Sequence, residues 1–115
     1  MNGFSSPAET DRSAPHTQNS HKLTRKRYLR LIDQQLTDLE ARIGHLRAKE
    51  RSLEGPAQDR LSGNVRMLAG KLHEARSLWK QVGTSGDEWL TLKKQLDAKV
   101  IHLQKSLTYV KNHLS

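Results

Sequence analysis

The chain has 115 residues, no cysteine, 4% aromatic residues and a formal net charge of +8. The lack of cysteine excludes a disulfide framework, a thiolate nucleophile and a zinc–thiolate site. The length is that of one domain, and 34% apolar with 28% charged residues favours helices that each bury a narrow aliphatic stripe.

The first 21 residues are rich in Ser, Thr, Asn and Pro, with Phe4 isolated among them. Such a segment buries too little apolar area to offset its ordering entropy, so residues 1–21 are predicted to be a disordered tail. The sequence has neither a run of about 18 apolar residues nor the apolar core of a secretory signal. No membrane span is predicted, and a cytoplasmic location is expected.

A heptad stripe of apolar residues predicts helix 1 over about residues 22–54. Its members follow one another in steps of three and four, with Glu50 as the polar interruption: Leu29, Ile32, Leu36, Leu39, Ile43, Leu46 and Leu53. Gly55 accepts the left-handed conformation that ends a helix, and Pro56 suits the first turn of the next one.

A second stripe predicts helix 2 over about residues 57–82. Its members are Leu61, Val65, Leu68, Leu72, Ala75, Trp79 and Val82. Gly63 and Gly70 are expected on its outer face, where each costs about 1 kcal/mol relative to alanine, so this helix is predicted to be the weakest of the three.

Ser85 and Glu88 have the S-x-x-E spacing of a capping box, which predicts the start of helix 3 over about residues 86–114. A third stripe follows, with Lys93 as its polar interruption: Trp89, Leu96, Val100, Leu103, Leu107, Val110 and Leu114.

Three stripes joined by short turns predict an all-α, up-down-up antiparallel three-helix bundle of coiled-coil type over residues 22–115. One end of this bundle is expected to bring together Tyr28, Leu29, Ile32, Trp79, Val82 and Trp89. The same stripes would also serve an intermolecular coiled coil if the turns at residues 55 and 83 opened, so the oligomeric state is left open.

Catalytic and metal-binding patterns are missing from the sequence. No two of the six histidines have the i, i+4 spacing of a metal pair, and the carboxylates have no predicted cleft to perturb them. We therefore predict no enzyme activity, no cofactor and no metal site. Trp79 and Trp89 are expected in the core, and the Tyr28 hydroxyl is expected to meet water or Asp87.

The positive charge is concentrated at the predicted start of helix 1, in a group we call the basic cluster: Lys22, Arg25, Lys26, Arg27 and Arg30. Cations there oppose the helix macrodipole, which suggests that they serve an anionic contact instead of local stability. The other interpretation is a solvated helix start whose charge maintains solubility.

Two stretches resemble a family of small bacterial coiled-coil proteins that respond to stress and whose molecular activity is unsettled. The resemblance covers residues 28 to about 107. It is carried by the turn Ser85-Gly86-Asp87-Glu88-Trp89 followed by Leu92 and Lys93, and by Tyr28, Gln35, Leu36, Leu39, Ala41 and Ile43. It implies a bacterial cytosolic protein without catalytic residues and transfers no binding site.

Two functions are consistent with these features. The first is a helical interaction or scaffold protein that binds a protein partner or itself and recruits the partner through the basic cluster. The second is a nonspecific binder of nucleic acid or another anionic surface, since no base-reading motif is present. No small-molecule substrate is predicted.

Overall fold

The computed structural model describes residues 14–114, with side chains from Thr24 onward. This part of the chain forms three helices, α1 (Ala14–Arg51), α2 (Gly55–Thr84) and α3 (Trp89–Asn112). No strand occurs within residues 14–114. The predicted all-α class with three helices is confirmed.

The boundaries of α1 differ from the prediction. The helix begins at Ala14 and not at residue 22, so it includes residues 14–21 of the predicted tail; residues 1–13 of that tail lie outside the described chain. Each residue added to an existing helix gains one backbone hydrogen bond, and Pro15 is compatible with a first turn. At the other end α1 stops at Arg51, three residues before the predicted end.

The conformations of Gly55 and Pro56 in the turn follow the prediction, but Gly55 is the first residue of α2 and does not directly follow α1. Gly55 has a φ of +62°, the left-handed region that a residue with a Cβ adopts at a cost of about 1 kcal/mol. Pro56 stands in the first turn of α2, where its missing N–H has no helical partner to lose. The Gln58 side chain donates a hydrogen bond of 3.2 Å to the Glu50 carbonyl and so ties the two helices across the turn.

The capping box predicted at Ser85 and Glu88 is wrong. Ser85 follows the end of α2 in an extended conformation, and its Oγ donates to the Val82 carbonyl at 3.3 Å. Helix α3 begins at Trp89 instead of residue 86, and Glu88 before it makes no side-chain capping hydrogen bond. The spacing matches the motif, but Ser85 caps the preceding helix and stands too far from α3 to serve it.

Contacts between side chains confirm the antiparallel order of neighbouring helices. Between α1 and α2, Trp79 bonds the Leu29 carbonyl and Arg76 bonds Asp33, so the α2 number falls as the α1 number rises. Between α2 and α3, Lys71 meets His102 and Glu74 meets Lys99 in the same reversed order. The chain therefore runs up, down and up.

The core follows the three predicted stripes closely. Sixteen stripe members and Tyr28 are buried: Tyr28, Ile32, Leu36, Leu39, Ile43, Leu46, Leu61, Val65, Leu68, Ala75, Val82, Trp89, Leu96, Val100, Leu103, Leu107 and Val110. Leu29, Leu53, Leu72, Trp79 and Leu114 are partly buried against this core. The predicted grouping of aromatic and aliphatic residues at one end is confirmed.

Helix α2 is the central packing partner of the bundle. Both α1 and α3 pack along it, whereas the contact between α1 and α3 is much smaller. Part of the boundary between these two helices is therefore open to solvent. Within residues 14–114, no helix is long and apolar enough to cross a lipid bilayer.

Candidate interaction surface

Arg25, a member of the predicted basic cluster, points into the bundle. Its guanidinium donates a hydrogen bond of 2.6 Å to the Ser85 carbonyl and longer ones of 3.4 Å to the carbonyls of Val82 and Gly86. It also lies 5.2 Å from the centre of the Trp89 ring, within range of a cation–π interaction. Arg25 thus supplies a donor to the carbonyl of Ser85, the residue that follows the last turn of α2.

The position of Arg25 in the heptad explains this orientation. It precedes Tyr28 by three residues and Ile32 by seven, so it continues the buried stripe one turn toward the start of α1. This phase was visible in the sequence. Grouping the five cations by their closeness along the chain concealed the fact that Arg25 shares a face with the core.

Three other members of the cluster point outward. Lys26, Arg27 and Arg30 are exposed, and we call these three residues the basic face. Lys26 and Arg30 are four residues apart and Arg27 and Arg30 three apart, so their side chains are neighbours on the helix surface. The side chain of Lys22 lies outside the described part of the chain.

The nearest acidic residue on α1 is engaged elsewhere. Asp33 accepts a hydrogen bond of 2.9 Å from Arg76 on α2, and this arginine also reaches Thr37 and Glu40. Among the side chains of residues 24–114, none forms an ion pair with the basic face. Like charges at this spacing repel one another, so an anionic partner would relieve a local repulsion.

An apolar side chain lies beside the basic face. Leu31, next to Arg30 along α1, is 52% exposed. The basic face therefore has an exposed leucine next to its three cations.

The early start of α1 removes one argument for a binding role. The macrodipole acts within the first turn of a helix, and the basic face begins twelve residues after Ala14. The charges therefore do not oppose the dipole as the sequence suggested. The mutual repulsion of Lys26, Arg27 and Arg30 and their lack of acidic partners among the described side chains still favour a binding role.

Tyr28 of α1 is buried against α3. The prediction that its hydroxyl meets water or Asp87 is wrong. Its hydroxyl donates a hydrogen bond of 2.6 Å to Asp97, and Lys93 both pairs with Asp97 at 3.0 Å and lies 4.8 Å from the Tyr28 ring centre. Burial, followed by the hydrogen bond and the negative charge of Asp97, raises the pKa of Tyr28 well above its usual value. The polar interruption in the α3 stripe at Lys93 thus has a packing role.

The tryptophans belong to the same end of the bundle. Trp89 is buried, and Trp79 is half-buried with its Nε1 donating to the Leu29 carbonyl at 2.7 Å. The prediction that both contribute to the core is confirmed. Because Trp89 is buried, its ring is not available as a stacking platform for a nucleic-acid base.

The described side chains contain no group of three His, Asp or Glu residues that could hold a metal ion. His102 lies 2.8 Å from the Lys71 amine, and the His113 ring stacks on Tyr109 with ring centres 4.0 Å apart. These contacts assign the two histidines to surface packing.

Comparison with known proteins gives no relative from which a function could be transferred. No protein-family model, curated protein or solved structure shows a significant match to this chain. The resemblance to the bacterial stress-response family stays a prediction, and the site is interpreted from its own geometry.

Proposed function

We propose that this protein is a non-catalytic helical interaction protein that binds an acidic segment of a protein partner through the basic face. The observation that carries the proposal is the exposure of Lys26, Arg27 and Arg30 side by side on one helix without an acidic partner among the described side chains. Three adjacent cations produce a local positive potential that steers an acidic segment toward them.

The rigidity of the scaffold supports this role. Arg25 and Trp79 tie this part of α1 to the α2–α3 turn and to α2, so the cations are held on an ordered helix. A preordered surface loses less conformational freedom on binding than a flexible one. The partner would therefore meet a fixed arrangement of charges.

Leu31 favours a protein partner over a bare phosphate backbone. A solvent-exposed leucine beside the cations can be covered by an apolar side chain of a partner, whereas a nucleic-acid backbone presents phosphate and sugar groups. We therefore expect the preferred acidic segment to carry an apolar residue among its Asp and Glu residues.

A nonspecific nucleic-acid binder is the second candidate, since the same three cations could contact phosphates. The two candidates differ in their dependence on Leu31. A Leu31→Gln variant is expected to weaken binding of an acidic peptide that contains leucine and to leave binding of duplex DNA unchanged.

Fluorescence anisotropy with labelled probes tests the proposal. The probes are an acidic peptide containing leucine and a duplex DNA, each at low and at moderate salt. The test variant carries Lys26→Gln, Arg27→Gln and Arg30→Gln; the control carries Arg47→Gln, Arg60→Gln and Arg66→Gln, which removes the same charge from other exposed positions.

We expect the test variant to lose affinity for the peptide by about tenfold or more and the control by less than about twofold. Equal losses in the two variants would show that only net charge matters. Tighter binding of duplex DNA than of the peptide, with a steep loss at higher salt, would support the second candidate.

A further inference from the structure

A cleft opens between α1 and α3 near the other end of the bundle. Its volume is about 360 Å³. It is lined by residues near the end of α1 and by the end of α3 with the residue Leu114 that follows it: Arg42, His45, Leu46, Lys49, Leu107, Lys111 and Leu114. It lies more than three helical turns along α1 from the basic face, so it forms a separate feature of the surface. The cleft exists because α1 and α3 pack mainly on α2 and touch each other little.

The cleft has an apolar floor and a cationic rim. Leu46 and Leu107 are buried and Leu114 is partly buried, and they form the floor. Arg42, His45, Lys49 and Lys111 are exposed around it. The cations come from both helices, so they face the opening from two sides.

The rim cations are free of acidic partners within the described structure. Arg42, Lys49 and Lys111 form no ion pair with any side chain of residues 24–114. The leucine floor offers neither donors nor acceptors, so a wholly polar ligand would lose hydration there without compensation. A neutral apolar ligand would leave the cations unused.

We propose that this cleft binds a small amphipathic anion, with an alkyl chain on Leu46, Leu107 and Leu114 and an anionic head between Arg42, Lys49 and Lys111. The volume lies within the range of about 300–1,000 Å³ that is typical of small-molecule sites. A carboxylate and a phosphate head both satisfy this charge arrangement, as in a fatty acid or an alkyl phosphate. The site is independent of the basic face.

Binding is measured by NMR titration of the labelled full chain with octanoate, decanoate, decyl phosphate and the uncharged decanol, each below its micelle concentration. The decanoate and decyl phosphate titrations distinguish the two head groups. We expect resonances of residues lining the cleft to shift. Decanoate, which has two more methylenes than octanoate, should bind about 16-fold more tightly, since each buried methylene increases affinity by about fourfold.

Paired variants identify the site. Lys49→Gln with Lys111→Gln is expected to weaken decanoate binding by about tenfold, whereas the control Arg47→Gln with Lys105→Gln removes one exposed charge from each of the same helices and should change it by less than about twofold. Circular dichroism checks that both variants retain the helical fold.

Three results would overturn the proposal. They are no shift at the cleft with decanoate up to about 1 mM, equal losses in the two paired variants, and binding of decanol as tight as that of decanoate. Loss of peptide binding in the basic-face variant does not bear on this site, so the two proposals fail separately.

Discussion

The guanidinium of Arg25 donates a hydrogen bond of 2.6 Å to the carbonyl oxygen of Ser85. This bond joins α1 to the turn between α2 and α3, which is sixty residues further along the chain. The basic cluster therefore divides into Arg25, which stabilises the fold, and Lys26, Arg27 and Arg30, which are exposed to solvent.

The first prediction concerns this division. Arg25→Gln should lower the free energy of unfolding by about 1–2 kcal/mol, because it removes charged hydrogen bonds to carbonyl groups and the contact with the Trp89 ring. Arg27→Gln, two residues away and exposed, should change it by less than about 0.5 kcal/mol. Urea denaturation of the two variants measures the difference, and similar values would argue against a structural role for Arg25.

The second prediction concerns the indole of Trp79. Trp79→Phe retains a ring against the core but removes the Nε1 donor that bonds the Leu29 carbonyl at 2.7 Å. We expect a loss of about 1 kcal/mol in the free energy of unfolding. The control is Leu78→Phe, which alters packing at another partly buried position of α2 but removes no such hydrogen bond. In hydrogen exchange, Trp79→Phe should show a loss of amide protection in α1 near Leu29 that Leu78→Phe does not show.

The third prediction concerns pH and Tyr28. Its pKa is raised in the folded state by burial and by Asp97, whereas an unfolded tyrosine titrates near pH 10. The stabilisation that Tyr28 contributes through this shift is fully present below about pH 10. It is lost as the pH rises toward the folded pKa, because the Tyr28 hydroxyl then releases its proton easily only in the unfolded state. The wild-type protein should therefore lose more stability between about pH 9 and 11 than Tyr28→Phe does.

Chemical denaturation at these two pH values measures the effect. Effects of pH that do not involve the Tyr28 hydroxyl are common to both proteins and cancel in the comparison. Parallel curves for the wild type and Tyr28→Phe would contradict a raised pKa of Tyr28 in the folded state.

The fourth prediction concerns the glycines of α2. Nothing lies within 4 Å of a Cβ built at Gly63 or at Gly70, so alanine at either position should raise the free energy of unfolding by about 0.5–1 kcal/mol through helix propensity. Gly55→Ala should lower it by about 1 kcal/mol, because Gly55 has a φ of +62°. Thermal denaturation followed by circular dichroism compares the three variants, and stabilisation by Gly55→Ala would contradict the turn geometry.

The number, order and buried faces of the helices were predicted well from the sequence. A repeated apolar stripe and a Gly-Pro turn both act through residues that are close together along the chain. The stripe from Ile32 to Leu46 and the reversal at Gly55 illustrate this agreement. The capping box failed because S-x-x-E spacing does not say which of two neighbouring helices the serine caps. Ser85 closes α2 in the structure.

The candidate site was less predictable than the core. Charge counts located the basic cluster, but the orientation of Arg25 and the pairing of Asp33 with Arg76 depend on how two helices meet in space. Tyr28 likewise finds Asp97 on α3, a residue with no sequence pattern to mark it as a partner. The cleft between α1 and α3 arises from unequal packing of three helices and has no signature in any single stripe.

Arginine labelling with phenylglyoxal, read by mass spectrometry with and without the acidic peptide, measures both the burial of Arg25 and the binding of the peptide to the basic face. We predict that Arg27 and Arg30 react faster than Arg25 in the free protein, and that the peptide slows their labelling while Arg66 on α2 is unaffected. Equal reactivity of Arg25 and Arg27, or peptide binding that leaves Arg27 and Arg30 as reactive as before, would contradict this prediction.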